Sequence, residues 1–315
     1  MKKWSLLFVA VLLMVVLAAC GAKEEGSSEK VSAEEGKKET VTIKHELGEA
    51  TVPVNPENVV VFDFGVLDTM DELGVEVAGV PQASVPEYLE KYAGSEYTNV
   101  GSLKEADFEV IHVMKPDVIF TSGRQAEMYE EFAKIAPTVY VAIDYENYMG
   151  SFTKNMETIA SIFDKEEEMK AELEEVNATI ESIHEKAGAL DEKALIVMSN
   201  AGKVSAYGPS SRFGILHDVF GFTAADEGIE QSTHGQNITF EYILETNPDI
   251  LFVIDRDAAV NSAEAAKGTI ENELVEKTNA FKNDKIYYLN PGQWYLSGGG
   301  LQSLKLMVKD AEAAL

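Results

Sequence analysis

The sequence predicts an α/β protein built as two similar lobes bridged by one long rigid helix. Three observations carry that reading. About 275 residues follow a polar N-terminal stretch, more than a single hydrophobic core comfortably serves. A helix–turn–strand unit occurs twice in the chain, 132 residues apart. Between its copies runs one long amphipathic segment, with no second segment of that kind to pair with.

The N-terminus indicates the compartment. Lys2 and Lys3 form a short positive region, and Trp4 to Leu17 is apolar apart from Ser5. At 1.5 Å per residue that run is too short for a bilayer core of about 30 Å, so residues 1–19 read as a signal peptide. Leu17-Ala18-Ala19-Cys20 looks like a bacterial lipobox, with small residues for the peptidase cleft. Cys20 is the chain's one cysteine, so no internal disulfide forms, and lipidation would leave no thiolate metal site. Cys20→Ser is therefore expected to release soluble protein or to leave an unprocessed precursor. Fractionation that finds the variant processed and membrane-bound as before would remove the anchor from this reading.

Residues 20–40 mix Gly, Ser, Glu and Lys with few apolar side chains, a composition that cannot bury enough surface to fold. They read as a lipidated flexible tether with a root-mean-square reach of about 25 Å.

The first lobe is placed at 41–150. Strands are expected near 41–45, 58–63, 77–80, 117–121 and 138–141, and helices near 65–73, 86–92, 107–114 and 125–135. Residues 108–124 (FEVIHVMKPDVIFTSGR) return as residues 240–256 (FEYILETNPDILFVIDR). Phe, Glu, Ile, Pro, Asp, Phe and Arg recur at the same places. Each copy reads as a helix ended by Pro, a turn at Asp, a buried strand, and an arginine just past the strand. Ligands of open α/β sheets bind beyond the carboxyl ends of strands, where Arg124 and Arg256 both fall.

Residues 151–190 are read as linking helices. Met169, Leu173, Val176, Ile180, Ile183, Ala187 and Leu190 alternate at spacings of four and three. Asp164 and Glu167 resemble a capping box, and Gly188 lies near the end. The second lobe is placed at 191–315. Strands are expected near 194–198, 203–207, 249–254 and 285–289, and helices near 213–220, 239–246 and from Leu301 onward.

The formal charge is −28; removing Lys2 and Lys3 leaves 24 bases against 54 acids, or −30. Such a surface argues against nucleic acid and against docking on anionic lipid. Against 21 lysines in the mature chain stand only three arginines: Arg124, Arg212 and Arg256. Arginine is thus expected where its planar fork matters, on a polyanionic ligand with paired oxygens. Three structural salt bridges are the plainer alternative.

Of the histidines, His45, His112, His184 and His217 read as surface or core-edge residues, whereas His234 sits in a Ser/Thr/Gly/Gln loop suited to a ligand. Trp294 and Tyr295 precede a glycine run that opens the last helix, as cleft residues or as lobe packing. No G-x-S-x-G elbow, P-loop or G-x-G-x-x-G fingerprint is present, and His184-Glu185 lacks a second histidine at Gly188. No enzyme is expected. Nor does the sequence group the three or four His and carboxylate ligands that direct manganese or zinc capture needs.

The lipobox, the VTIKHELGEATVPVNPENVVVFD opening, the paired F-E-x-I…P-D units, the central helix and the W-Y-L-S-G-G-G ending together resemble siderophore-binding lipoproteins of ABC importers. The likeness runs through nearly the whole chain and is closest to the catecholate, petrobactin-type binders. It implies the class III periplasmic-binding-protein fold and a monomer held on the outer face of the cell membrane by its lipid. It also implies an iron(III)–siderophore as cargo, with no cofactor of the protein's own. In that group three arginines surround the catecholate iron centre, and Arg124, Arg212 and Arg256 match them. His234 and Tyr295 match a loop histidine and late tyrosine that complete the iron shell when the siderophore leaves two sites open. Apart from the resemblance, Trp294 is expected to cover apolar ligand edges. Glu109 and Glu241 match the glutamates, one per lobe, that dock on the permease dimer. Another iron chelate, haem or cobalamin in the same fold stays open, as do a siderophore-ester hydrolase and a purely structural surface lipoprotein.

Overall fold

The computed structural model describes residues 39–261 and 266–315. The signal segment, Cys20 and the tether as far as residue 38 lie outside these residues. Thr40, assigned to the tether from sequence, already opens the first strand.

An antiparallel hairpin of β1 (Thr40–His45) and β2 (Gly48–Pro53) precedes the first lobe. That lobe is a parallel sheet in the order β5–β4–β3–β6–β7. Its strands are β3 (Val59–Val61), β4 (Gly79–Val80), β5 (Thr98–Asn99), β6 (Val118–Thr121) and β7 (Thr138–Tyr140).

The second lobe follows the order β11–β9–β8–β12–β13. Its strands are β8 (Lys193–Asn200), β9 (Lys203–Tyr207), β10 (Thr223–Ala224), β11 (Gln236–Ile238), β12 (Ile250–Asp255) and β13 (Ile286–Leu289). β8, β12 and β13 run parallel, as does β10 against the start of β8, while β9 and β11 are antiparallel. The β8–β9 hairpin turns at Ala201-Gly202, both at positive φ, the twist that a two-residue hairpin favours. The lobes thus share a design without being copies.

The repeat is the same device twice. Helices Phe108–Met114 and Phe240–Thr246 start on Asp107 and Thr239, whose side chains accept from the amides of Val110 and Tyr242. Both helices end in a left-handed residue, Lys115 (φ 50°) and Asn247 (φ 46°), directly before the proline. Asp117 then accepts from the Asn58 amide at 2.9 Å, and Asp249 from the Lys193 amide at 3.1 Å. Each aspartate therefore ties its own strand to the start of its neighbour, a role beyond opening a turn.

Strand side chains alternate between two cores, as a period of two requires. Val60, Phe62 and Ile119 fill a small outer core of the first lobe, and Leu195, Val197, Leu251 and Val253 one of the second. The opposite faces, with Val61, Phe120, Ile196 and Phe252, belong to one continuous core shared by both lobes. Helices Tyr148–Ile162 and Glu166–Gly188 contribute to that core. All six apolar positions predicted between Met169 and Ala187 are buried there. The long helix has 23 residues, roughly 35 Å.

Two expectations are corrected. Asp164 does not cap this helix. Its φ is 50°, and its carboxylate accepts from Asn55 Nδ2 at 2.7 Å, so Lys165 takes the cap position with no side-chain bond. The closing helix Leu301–Glu312, assigned from sequence to the second lobe, packs on the first. Asp68, wholly buried in helix Phe64–Glu72, accepts from the amides of Gln302 (3.1 Å) and Ser303 (3.0 Å), and Thr69 from that of Leu301. The donors at the start of the last helix are satisfied by the first lobe.

Candidate functional site

A cavity of about 1230 Å³ opens between the lobes and is lined from both. Arg124 stands just past β6 and Arg256 just past β12, at the carboxyl ends of parallel strands, while Arg212 comes from the turn after β9. The three meet at a single residue, Tyr295. Arg124 Nη2 and Arg212 Nη2 both donate to its main-chain carbonyl, at 2.7 and 2.6 Å. Arg124 Nη1 reaches the Leu296 carbonyl at 3.2 Å. Arg256 Nε donates to the Tyr295 hydroxyl at 2.9 Å and its Nη1 to Asn200 Oδ1 at 2.9 Å. The Arg212 guanidinium also lies 4.3 Å from the centre of the Tyr295 ring.

None of the three pairs with a carboxylate among the described residues, so the salt-bridge alternative is not how they are held. Burial, and then the neighbouring Arg212 charge, lower the Arg124 pKa. For Tyr295, burial alone would push the hydroxyl up. The Arg212 charge, the Arg256 hydrogen bond and charge, and the Arg124 charge outweigh it and hold the phenol below its usual value. The site is a knot of cations around a phenol held below its usual value.

His234 is exposed and lines the same cavity. Its loop turns at Gly235 (φ 75°), where a Cβ would lie 2.7 Å from the Tyr207 ring. The half-buried His45 and His217, and the exposed His184, each spend a ring nitrogen on a backbone carbonyl, of Thr138, Phe222 and Val219 respectively. Glu109 and Glu241 are exposed in the first turns of the two repeat helices and take no part in the cavity. Among the described residues no three His, Cys, Asp or Glu side chains gather as a metal cluster.

Trp294 borders the cavity but is almost wholly buried. It is 2% exposed, and its indole N–H donates to Asp310 Oδ2 at 2.7 Å. The expectation that it covers apolar ligand edges is corrected, because almost none of its surface is free. Tyr140, Tyr145 and Tyr207 line the cavity instead, and sequence reasoning had passed over them. Tyr140 and Asn200 end β7 and β8, so the strand-end rule that singled out the arginines would have found both.

The sequence pattern of the periplasmic binding protein family matches residues 59–292. The chain is 48% identical to the petrobactin-binding protein YclQ of Bacillus subtilis (strain 168), over 100% of this chain and 99% of that protein. The crystal structure of YclQ is similar with a TM-score of 0.86, covering 88% of this chain and 99% of that one. The ferric-anguibactin-binding protein FatB of Vibrio anguillarum (strain ATCC 68554 / 775) is 33% identical, over 86% of each chain. The crystal structure of the periplasmic catecholate-siderophore binding protein VctP from Vibrio cholerae has a TM-score of 0.82 at 38% identity, covering 87% of this chain and 99% of that one.

Proposed function

Because the chain belongs to the periplasmic binding protein family, we propose that it is the extracytoplasmic substrate-binding lipoprotein of an ABC importer. Its cargo is an anionic iron(III)–siderophore of the catecholate or petrobactin type. The observation that carries this reading is the convergence of three guanidinium groups from two lobes on one cavity. A tris-catecholate iron(III) centre bears three negative charges and paired oxygens, the shape that a planar fork binds in bidentate fashion. Neutral hydroxamate complexes give three arginines nothing to balance. The names of the relatives, petrobactin-binding and catecholate-siderophore binding, point the same way.

On loading, Arg124 and Arg212 exchange the Tyr295 and Leu296 carbonyls for catecholate oxygens. Where a siderophore leaves two positions on the iron open, His234 and the Tyr295 phenolate fill them. The protein takes no resident cofactor and performs no chemistry on its cargo. A lipid on Cys20 holds the monomer at the membrane, and the permease dimer receives the loaded protein through Glu109 and Glu241. Fluorescence of Trp294 titrated with a panel of ferric siderophores tests the cargo, since energy transfer to an iron chelate needs no contact with the indole. Strong quenching by catecholate chelates and little by neutral hydroxamates is expected; the reverse order would overturn the assignment.

The docking role is separable from binding. Glu109→Ala with Glu241→Ala is expected to keep cargo affinity in the purified protein and to abolish uptake in cells. A large loss of affinity in that double variant would put these carboxylates in the cleft.

A further inference from the structure

All three arginines are organised around one short segment, the strap Gly292–Ser297, which is wound as a π-helix. Such wide turns persist where something holds them. Asn290 Oδ1 accepts from the Gly292 amide at 2.9 Å at one end. At the other, the strap runs so close to Gly65 that a Cβ there would lie 2.5 Å from the Ser297 carbonyl. The middle of the strap is held from outside the cavity. Asp310, on the closing helix, accepts on one oxygen from both Gln293 Nε2 and Trp294 Nε1, each at 2.7 Å. Gln293 and Trp294 are 5% and 2% exposed, so no water stands ready to replace that oxygen. The next two residues supply the carbonyls that Arg124 and Arg212 grip and the hydroxyl that Arg256 meets.

We infer that Asp310 is a positioning residue of the cargo site, acting through Gln293 and Trp294 to set the strap that aligns Tyr295 with the three arginines. It touches neither cargo nor arginine. This inference rests on the proposed cargo, but its first consequence can be read without any. With the strap released, the amides of residues 292–297 lose the frame that holds their wide turn and open to solvent exchange.

The experiment compares three substitutions in the otherwise unaltered protein. Asp310→Leu removes the acceptor, Asp310→Asn keeps one, and Lys305→Ala serves as a destabilised control. Lys305, on the same closing helix, holds Glu72 and Glu172 and leaves the strap alone. Native-state hydrogen exchange of the cargo-free proteins follows the amides of residues 292–297. Asp310→Leu is expected to speed exchange across that strap about tenfold and to weaken binding of a hexadentate tris-catecholate iron(III) chelate about tenfold. Asp310→Asn recovers most of both effects, and Lys305→Ala lowers the melting temperature while changing neither. If Asp310→Leu does not fold, Gln293→Met with Trp294→Phe removes the two donors and carries the same expectation. Unchanged exchange across the strap, or equal losses of affinity in Asp310→Leu and Lys305→Ala, would overturn the inference. A wild-type protein that binds no catecholate chelate counts against the proposed cargo instead, and the cargo-free exchange still decides the role of Asp310.

Discussion

Tyr295→Phe is expected to weaken binding of a tetradentate bis-catecholate iron(III) chelate at least about tenfold more than binding of a hexadentate one. Iron(III) takes six ligands, and two catecholates supply four. The phenol able to supply a fifth is already drawn toward ionisation by three guanidinium groups. Binding at lower cost in proton release then favours Tyr295 over Tyr207, which is pushed up to about 12, chiefly by burial. A tenfold ratio corresponds to about 1.4 kcal/mol, modest for a metal–phenolate bond and so a lower bound. The wild-type tetradentate complex should show an altered visible charge-transfer band that Tyr295→Phe reverses. His234→Ala should share the selectivity without removing a phenolate band. Titration of both variants with both chelates is the measurement, and equal losses for the two would mean that these side chains only shape the cleft.

Replacing Arg124, Arg212 or Arg256 by alanine is expected to cost ten- to a hundredfold in affinity for a hexadentate tris-catecholate chelate. The magnitude follows from roughly 1.5–3 kcal/mol per charge-assisted contact. Arg→Lys should recover only part of it, because an ammonium cannot bridge two oxygens as a guanidinium does. The three losses will not simply add. Arg124 and Arg212 share one carbonyl and repel each other, so removing either relieves the other. Calorimetric or fluorescence titration of the single and paired variants checks both statements, and three variants binding like wild type would remove the anionic cargo.

The two-lobed plan was legible because its signal is periodic and doubled. The repeat and the spacing from Met169 to Ala187 each rest on many residues pointing the same way. The strand-end position of Arg124 and Arg256 was legible for the same reason. What stayed hidden depends on contacts between distant residues. Nothing local to Asp164 says that Asn55 will claim its carboxylate, 109 positions away. Trp294 looks like a cleft aromatic until Asp310 is seen to take its N–H. β5 and β10, two residues each, are too short to leave a pattern, and β2 turns on Glu46-Leu47, which carries none of the usual hairpin residues.

The return of the closing helix to the first lobe bears on how the molecule is made. A nascent chain ordinarily folds its N-terminal domain first, as that domain emerges. Here Asp68 and Thr69, buried in helix Phe64–Glu72, accept from the amides of Leu301, Gln302 and Ser303, in the last helix to be made. The first lobe to be synthesised is the last to be finished. Loss of the last helix is therefore a lesion of the opposite end of the protein.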